Sequence, residues 1–260
     1  MKLLTAVALG AVAGAMVIHP AAADVYTINS TSVPNNVAVT INSSSPAPSV
    51  TEGGLAGAIS ANVTDSTINS TSQMTVWCSD IKDSLSTPGS YTLTTLSAEI
   101  GQANYATLDS TKVNQINALL SAVTVGLVSA TNATTSAAMQ VAIWEVIYQS
   151  GDSNYNVTAG NFYITAYNSD NISTVVSDAN QYLSYVTSGS WLPNTNDTVE
   201  MFLSSSGSDQ NLIYLGVTSS GKQAVPEPAS MALFATGLAG LGLIRRRRSA
   251  RAGSEARRPL

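Results

Sequence analysis

Histidine is almost missing from this 260-residue sequence, and its one copy, His19, lies at the end of an N-terminal apolar run. If that run is removed, Ser-His-Asp hydrolysis, Cys-His proteolysis and His-ligated zinc are all excluded. Cysteine is as scarce. Cys78 stands alone, so no internal disulfide can form, and a lone cysteine in an exported chain must be buried, joined to another molecule or used in a different covalent bond. Charge is thin as well, at 10% of residues. Between residues 24 and 225 the only bases are Lys82, Lys112 and Lys222, against fourteen acids from Asp24 to Asp209, a net of −11. That balance excludes nucleic acid as a partner and suits a soluble extracellular surface. No D-x-D-x-D-G pattern is present, so Asp80 and Asp83 read as solvated surface acids rather than calcium ligands. No metal and no cofactor is expected.

What the middle of the chain lacks is concentrated at its ends. Met1-Lys2 opens an apolar and small-residue run from Leu3 to Ile18, followed by Ala21-Ala22-Ala23, the pattern of a secretory signal peptide over residues 1–23 with cleavage after Ala23. At the other end, Val225-Pro226-Glu227-Pro228 precedes an uncharged apolar stretch from Ala229 to Ile244 and then Arg245 to Arg248. The arginines favour the cytoplasmic side of a membrane. Sixteen apolar residues fall short of the ~20 of a comfortable span, so a transient membrane stay is the expectation. This tail resembles the PEP-CTERM sorting signal of Gram-negative bacteria in its Pro226-Glu227-Pro228 motif, apolar stretch and basic end. The resemblance implies processing by an exosortase after export across the inner membrane. The destination is then the cell surface or extracellular matrix, often alongside exopolysaccharide. Residues 249–260 form a longer tail than such signals usually carry.

The 202 residues from Asp24 to Val225 suffice for one domain. Residues 24–52 read as Ser/Thr/Asn-rich short strands and loops, with a loop or hinge over residues 43–49, residues 53–217 as the body and residues 218–224 as a linker to the sorting signal at 225–248. Gly53 to Ile59 fits a strand in which glycine permits close backbone approach. The alternation from Met74 to Ile81 predicts a strand that puts Met74, Val76 and Cys78 on one side and Trp77 and Ile81 on the other. Helical spacing follows from Thr111, then from about Ser136 to Tyr148 and from Ser173 to Tyr185. Strands return over Thr198 to Leu203 and Asn211 to Val217. The expected fold class is α+β, antiparallel strands in a sandwich or barrel with a helical segment between β portions, flanked by cleavable signals.

Gln140 shares a helical stripe with Ala137, Trp144 and Ile147, so its carboxamide faces an apolar interior. A cysteine and a glutamine facing one core suggest an internal thioester. The sulfur attacks the carboxamide and ammonia leaves; the product survives only where water is excluded, with Trp77, Trp144 and Tyr148 as candidate shields. An amine on a partner would later displace the sulfur and become amide-linked. The residues also resemble a family. Trp77-Cys78-Ser79-Asp80-Ile81 is similar to the aromatic-Cys-x-Asp-apolar motif of bacterial surface thioester domains, and Met139-Gln140-Val141-Ala142-Ile143-Trp144-Glu145 to their x-Gln-x-Ala-Ile-Trp motif, 62 residues on. The resemblance implies Cys78 and Gln140 as the thioester pair, with Trp77, Asp80, Trp144 and Glu145 in the surrounding motifs. Trp77 stands where tyrosine or phenylalanine is commoner.

Other chemistries stay open on residues alone. Glu99 with Glu145 could serve paired-carboxylate glycoside cleavage, Lys82 or Lys112 could form an isopeptide with an asparagine, and Cys78 could be a small buried hydrophobe. The expectation that combines these features is an exported surface or matrix protein, not a turnover enzyme, that attaches to an amine-bearing surface or matrix ligand through a thioester. Its counterpart is a non-reactive structural or carbohydrate/matrix-binding module of the same fold.

Overall fold

The computed structural model describes residues 24–151, 154–168 and 171–217. Four strands come first: β1 (Val25–Ser43), β2 (Val50–Asp65), β3 (Ser70–Cys78) and β4 (Gly89–Thr95). Two helices follow, α1 (Ser110–Thr124) and α2 (Ala133–Tyr148), then β5 (Phe162–Ala166), α3 (Ser173–Thr187), β6 (Asp197–Ser204) and β7 (Leu212–Val217). All pairings between these strands are antiparallel. Neighbour follows neighbour as β1, β2, β3, β7, β6, β4 and back to β1, which closes a six-stranded barrel-like sheet with β5 added on β1. The α+β class expected from the sequence is the class observed.

β1 and β2 are long, not the short strands anticipated for the N-terminal region. β1 runs 19 residues and pairs with β2 along almost its whole length. Its first part, Val25 to Ile28, also pairs with β4, and its last part, Val39 to Ser43, with β5. Register shifts between Ile28 and Ser30 and between Ser32 and Asn35 re-aim the strand between these two duties. At the second shift Gly57 is required, because a Cβ there would run into the Asn35 backbone. The sequence signal is weak here because serine, threonine and asparagine are interspersed among the apolar residues of β1, so the backbone ladder rather than hydrophobic alternation holds the register. Residues 24–52 are therefore part of the same sheet as the rest of the body.

The helices lie between β4 and β6 in the chain, and α2 is the innermost. Every residue of α2 from Ser136 to Tyr148 is buried, with β1 and β2 on one flank and α1 and α3 on the other. Asn132 caps α2, its side chain accepting from the Thr134 and Thr135 amides, while Asp109 caps α1 by accepting from the Lys112 amide. Ser136 in the first turn accepts the Ala58 amide of β2 at 2.7 Å, which fixes the helix against the barrel wall. Inside the barrel, Phe202 of β6 packs against Tyr26 (5.5 Å between centroids) and Tyr214 (5.1 Å). Strands β4 and β5, at seven and five residues, are too short to have stood out in the sequence.

Candidate functional site

β3 parts from β2 before it ends at Cys78. The β2–β3 ladder runs from Asp65↔Ser70 to Ile59↔Val76; past Val76 β2 continues to Val50 paired with β1 alone, so β3 has no pairing on that side, although β7 still pairs with Trp77 and Cys78 on the other. α2 lies against this place, and the Gln140 carboxamide supplies the missing pairing. The Cys78 amide donates to Gln140 Oε1 at 2.9 Å, and Gln140 Nε2 donates to the Cys78 carbonyl at 2.8 Å. Gln140 is wholly buried. A strand-end backbone in the core must find partners, and the opposed donor and acceptor of one carboxamide supply both. The two bonds also fix which end of the amide is oxygen.

The Cys78 thiol points elsewhere. Sγ donates to Oε1 of Gln210 at 2.8 Å, and Gln210 Nε2 donates to the Asp80 carbonyl at 2.7 Å. Gln210 comes from the loop between β6 and β7, held to the 79–85 segment by a Ser84↔Asp209 bridge and by the Gln210 amide on the Ser84 carbonyl at 3.2 Å. Cys78, Gln210 and Trp144 line a cavity of about 220 Å³ whose other walls include Val33, Leu55, Glu52 and Asp83. Gln140 lies behind Cys78, outside that cavity lining.

Polar groups around the pair are tightly used. Tyr148 donates from its hydroxyl to the Ser79 carbonyl at 2.6 Å, and the Ser79 hydroxyl meets the Tyr105 hydroxyl at 3.0 Å. The Ser79 amide donates to the Asn211 carbonyl at 3.0 Å. Burial, then the neighbouring Asp80 carboxylate, pushes the Cys78 thiol well above its ordinary value. Asp80 is itself buried, not a solvated surface acid. Its Oδ1 accepts the Lys82 amide at 2.8 Å and its Oδ2 has no hydrogen-bond partner among the described residues. Burial above all raises its carboxyl, with Asp83 adding to the rise.

The remaining motif residues separate. Trp144 shares the cavity with Cys78 and packs on Phe162 at 6.4 Å, and Tyr148 stacks on the same ring. Trp77 does not shield the thiol. It sits on the opposite face of β3, in a second cavity with Leu120, Val123 and Tyr214. Ile81, expected beside Trp77, instead lines the Cys78 cavity, since the chain leaves the strand at Ser79 and strand alternation no longer applies. Glu145 faces away from the pair, its Oε1 accepting the Asn156 amide at 2.8 Å. Lys112 is buried, with its ammonium on the Gln149 carbonyl. No group of three or more potential metal-binding side chains occurs among the described residues. Gln210 went unread in the sequence because it lies in a polar loop with no periodicity and 132 residues from its partner.

Residues 224–248 match the family model of the PEP-CTERM protein-sorting motif. The chain thus carries an envelope-sorting signal that implies export and exosortase processing. That segment, with Pro226, Glu227, Pro228 and the apolar stretch 229–244, lies outside the described residues, as does the signal-peptide run ending at Ala23. Among the described residues no helix is long and apolar enough to cross a membrane. No curated protein matches the chain significantly. Among solved structures the chain is similar to the N-terminal domain of the Streptococcus pyogenes pilus tip adhesin Cpa, at 15% identity and a TM-score of 0.42 over 72% of this chain and all of that one. It is also similar to the N-terminal thioester domain of a surface protein from Clostridium perfringens, at 12% identity and a TM-score of 0.37 over 68% of this chain and 98% of that one. A cysteine-to-alanine mutant of the latter gives 11% identity and a TM-score of 0.39 over 61% and 88%.

Proposed function

We propose that the protein is an exported surface or matrix protein that attaches covalently to amine-bearing partners through a thioester between Cys78 and Gln140. The observation that carries this reading is the two-point grip of the Cys78 backbone on the Gln140 carboxamide. In bond formation Sγ attacks the Gln140 side-chain carbon, an S–C bond forms and the C–N bond breaks. The thiol proton leaves with the amide nitrogen as ammonia. Negative charge develops on Gln140 Oε1, and the Cys78 amide at 2.9 Å already donates to that atom, as an oxyanion-hole donor does. Attack by a primary amine reverses the roles. The amine nitrogen bonds to the acyl carbon, the S–C bond breaks, and the sulfur takes the proton the amine gives up.

The second step runs toward the amide, the more stable acyl derivative, while the first is drawn forward by the escape of ammonia. With His19 in the signal run, the exported body has no imidazole to activate hydroxyl groups, so amines are preferred over sugar hydroxyls. The test is incubation of purified protein with methylamine. The expected result is a gain of one methylamine relative to the ammonia-deficient form, absent in Cys78→Ala; wild-type protein of full sequence mass that gains nothing refutes the reading.

A non-reactive binding module of the same fold is the second reading. It is supported by the thiol's hydrogen bond to Gln210, which holds the sulfur as a neutral donor facing the cavity. A matrix carbohydrate or other envelope polymer is then the ligand class, and binding without any mass change is its signature.

A further inference from the structure

Cys78 has two glutamines, and they touch different parts of it. Gln140 holds the backbone and lies behind the cavity lining, whereas Gln210 holds the sulfur and stands at the cavity wall. The orientation of Gln210 is fixed. Its Nε2 must face the Asp80 carbonyl to donate, which leaves only Oε1 for the thiol. The loop that carries it is tied down on both sides, by Ser84↔Asp209 pairing before it and by Asn211 after it. Asn211 accepts the Ser79 amide through its carbonyl and gives its side-chain oxygen to the Ser204 amide at 2.9 Å. The acceptor is therefore pre-placed rather than swept in by a mobile side chain.

We propose that Gln210 is a second functional glutamine, a positioning residue that holds the Cys78 sulfur at the cavity wall and, after acylation, accepts an N–H of the incoming amine. The second half rests on the thioester reading. An acylated sulfur has no hydrogen to donate, so Oε1 of Gln210 loses its donor while still facing the space beside the reacting atoms. A primary amine approaching through the cavity brings a hydrogen to that oxygen, and the bond orients its lone pair toward the acyl carbon. Water brings hydrogens too, but the walls pair apolar Val33, Leu55 and Trp144 with the acids Glu52 and Asp83, which suit a nucleophile with both a stem and a basic nitrogen.

The first half is decided by vibrational spectroscopy, because the only cysteine in the chain gives a single S–H stretching band. After exhaustive methylamine treatment the thiol is free whether or not the bond had formed. The treated wild-type chain should show the band at the low frequency of a strongly donating thiol, and Gln210→Met, which keeps the length but removes the acceptor, should move it up. An unmoved band overturns the clamp. Should Gln210→Met not fold, Gln210→Ala is read in the same way. The second half is decided by kinetics. Gln210→Met should still lose ammonia but react with methylamine about fivefold more slowly, the factor one neutral hydrogen bond carries, with thioester hydrolysis unslowed. Aminolysis at the wild-type rate overturns the amine-orienting role. A wild-type chain that never loses ammonia refutes the thioester reading and this second half together, while the band still decides the clamp.

Discussion

At the scale of single residues, Gln140 carries more structure than a reacting group alone would. Its truncation to alanine strips both the amide and the carbonyl of Cys78 of their partners in the core. Gln140→Ala should therefore cost about 2–4 kcal/mol in denaturant unfolding, whereas Cys78→Ala, which removes a thiol and leaves those bonds, should cost about 1 kcal/mol. The cysteine variant is the cleaner loss-of-reaction control. Cys78 also sets a pH dependence. Because its thiol is held above the ordinary value, the thiolate fraction grows about tenfold per pH unit through the neutral and mildly alkaline range. Ammonia loss by freshly refolded protein, followed by mass, should accelerate with pH accordingly. A rate that is flat over that range would assign the sulfur a different activation. These residues were legible in the sequence because strand alternation and helical spacing both turned Cys78 and Gln140 inward. Gln210, Tyr105 and Asn211 were not, since what places them is pairing across the barrel.

At the scale of elements, α2 explains why a carboxamide and a carboxylate can both be buried on one helix. Gln140 faces β3, and Glu145 faces the loop at Asn156. Burial pushes the Glu145 carboxyl from 4.5 up to about 8, with the Asn156 amide and Lys112 pulling it part of the way back. Unfolded, the group ionises near 4.5; folded, it stays protonated to about 8. The native state thus binds the extra proton between those values, and stability falls as pH rises through that window, then levels off. Glu145→Gln, which keeps an oxygen for the Asn156 amide and cannot ionise, should remove that decline, about 3–5 kcal/mol from this one group at most. Thermal or denaturant unfolding of the two proteins from about pH 5 to pH 8 checks it; parallel curves would mean that Glu145 is ionised when folded. The helices were legible because 15 or 16 residues give several turns of apolar spacing. The strands were legible where apolar residues alternate, as in β3 and β6, or run together, as in β7. In β1 polar outward positions hid the length, and the extra partners of a barrel strand leave no trace in its own sequence.

At the scale of the whole molecule, β1 closes the barrel by joining β2 to β4 and also carries β5. A chain beginning at Gly53 leaves all three without their common partner, so it should fail to fold, as circular dichroism and amide-proton dispersion would show. A folded product would restore residues 24–52 as a separable region. The sorting motif at 224–248 implies export to the cell envelope, and the body it accompanies is acidic, with three lysines. The proposed function turns on one bond. The most direct measurement is the intact mass of purified wild-type protein, followed by peptide mapping of Cys78. The account predicts a mass one ammonia below that of the processed sequence, with the Cys78 peptide joined to the Gln140 peptide. A full-mass chain with a free Cys78, or a link from Cys78 to Gln210 in place of Gln140, would contradict it.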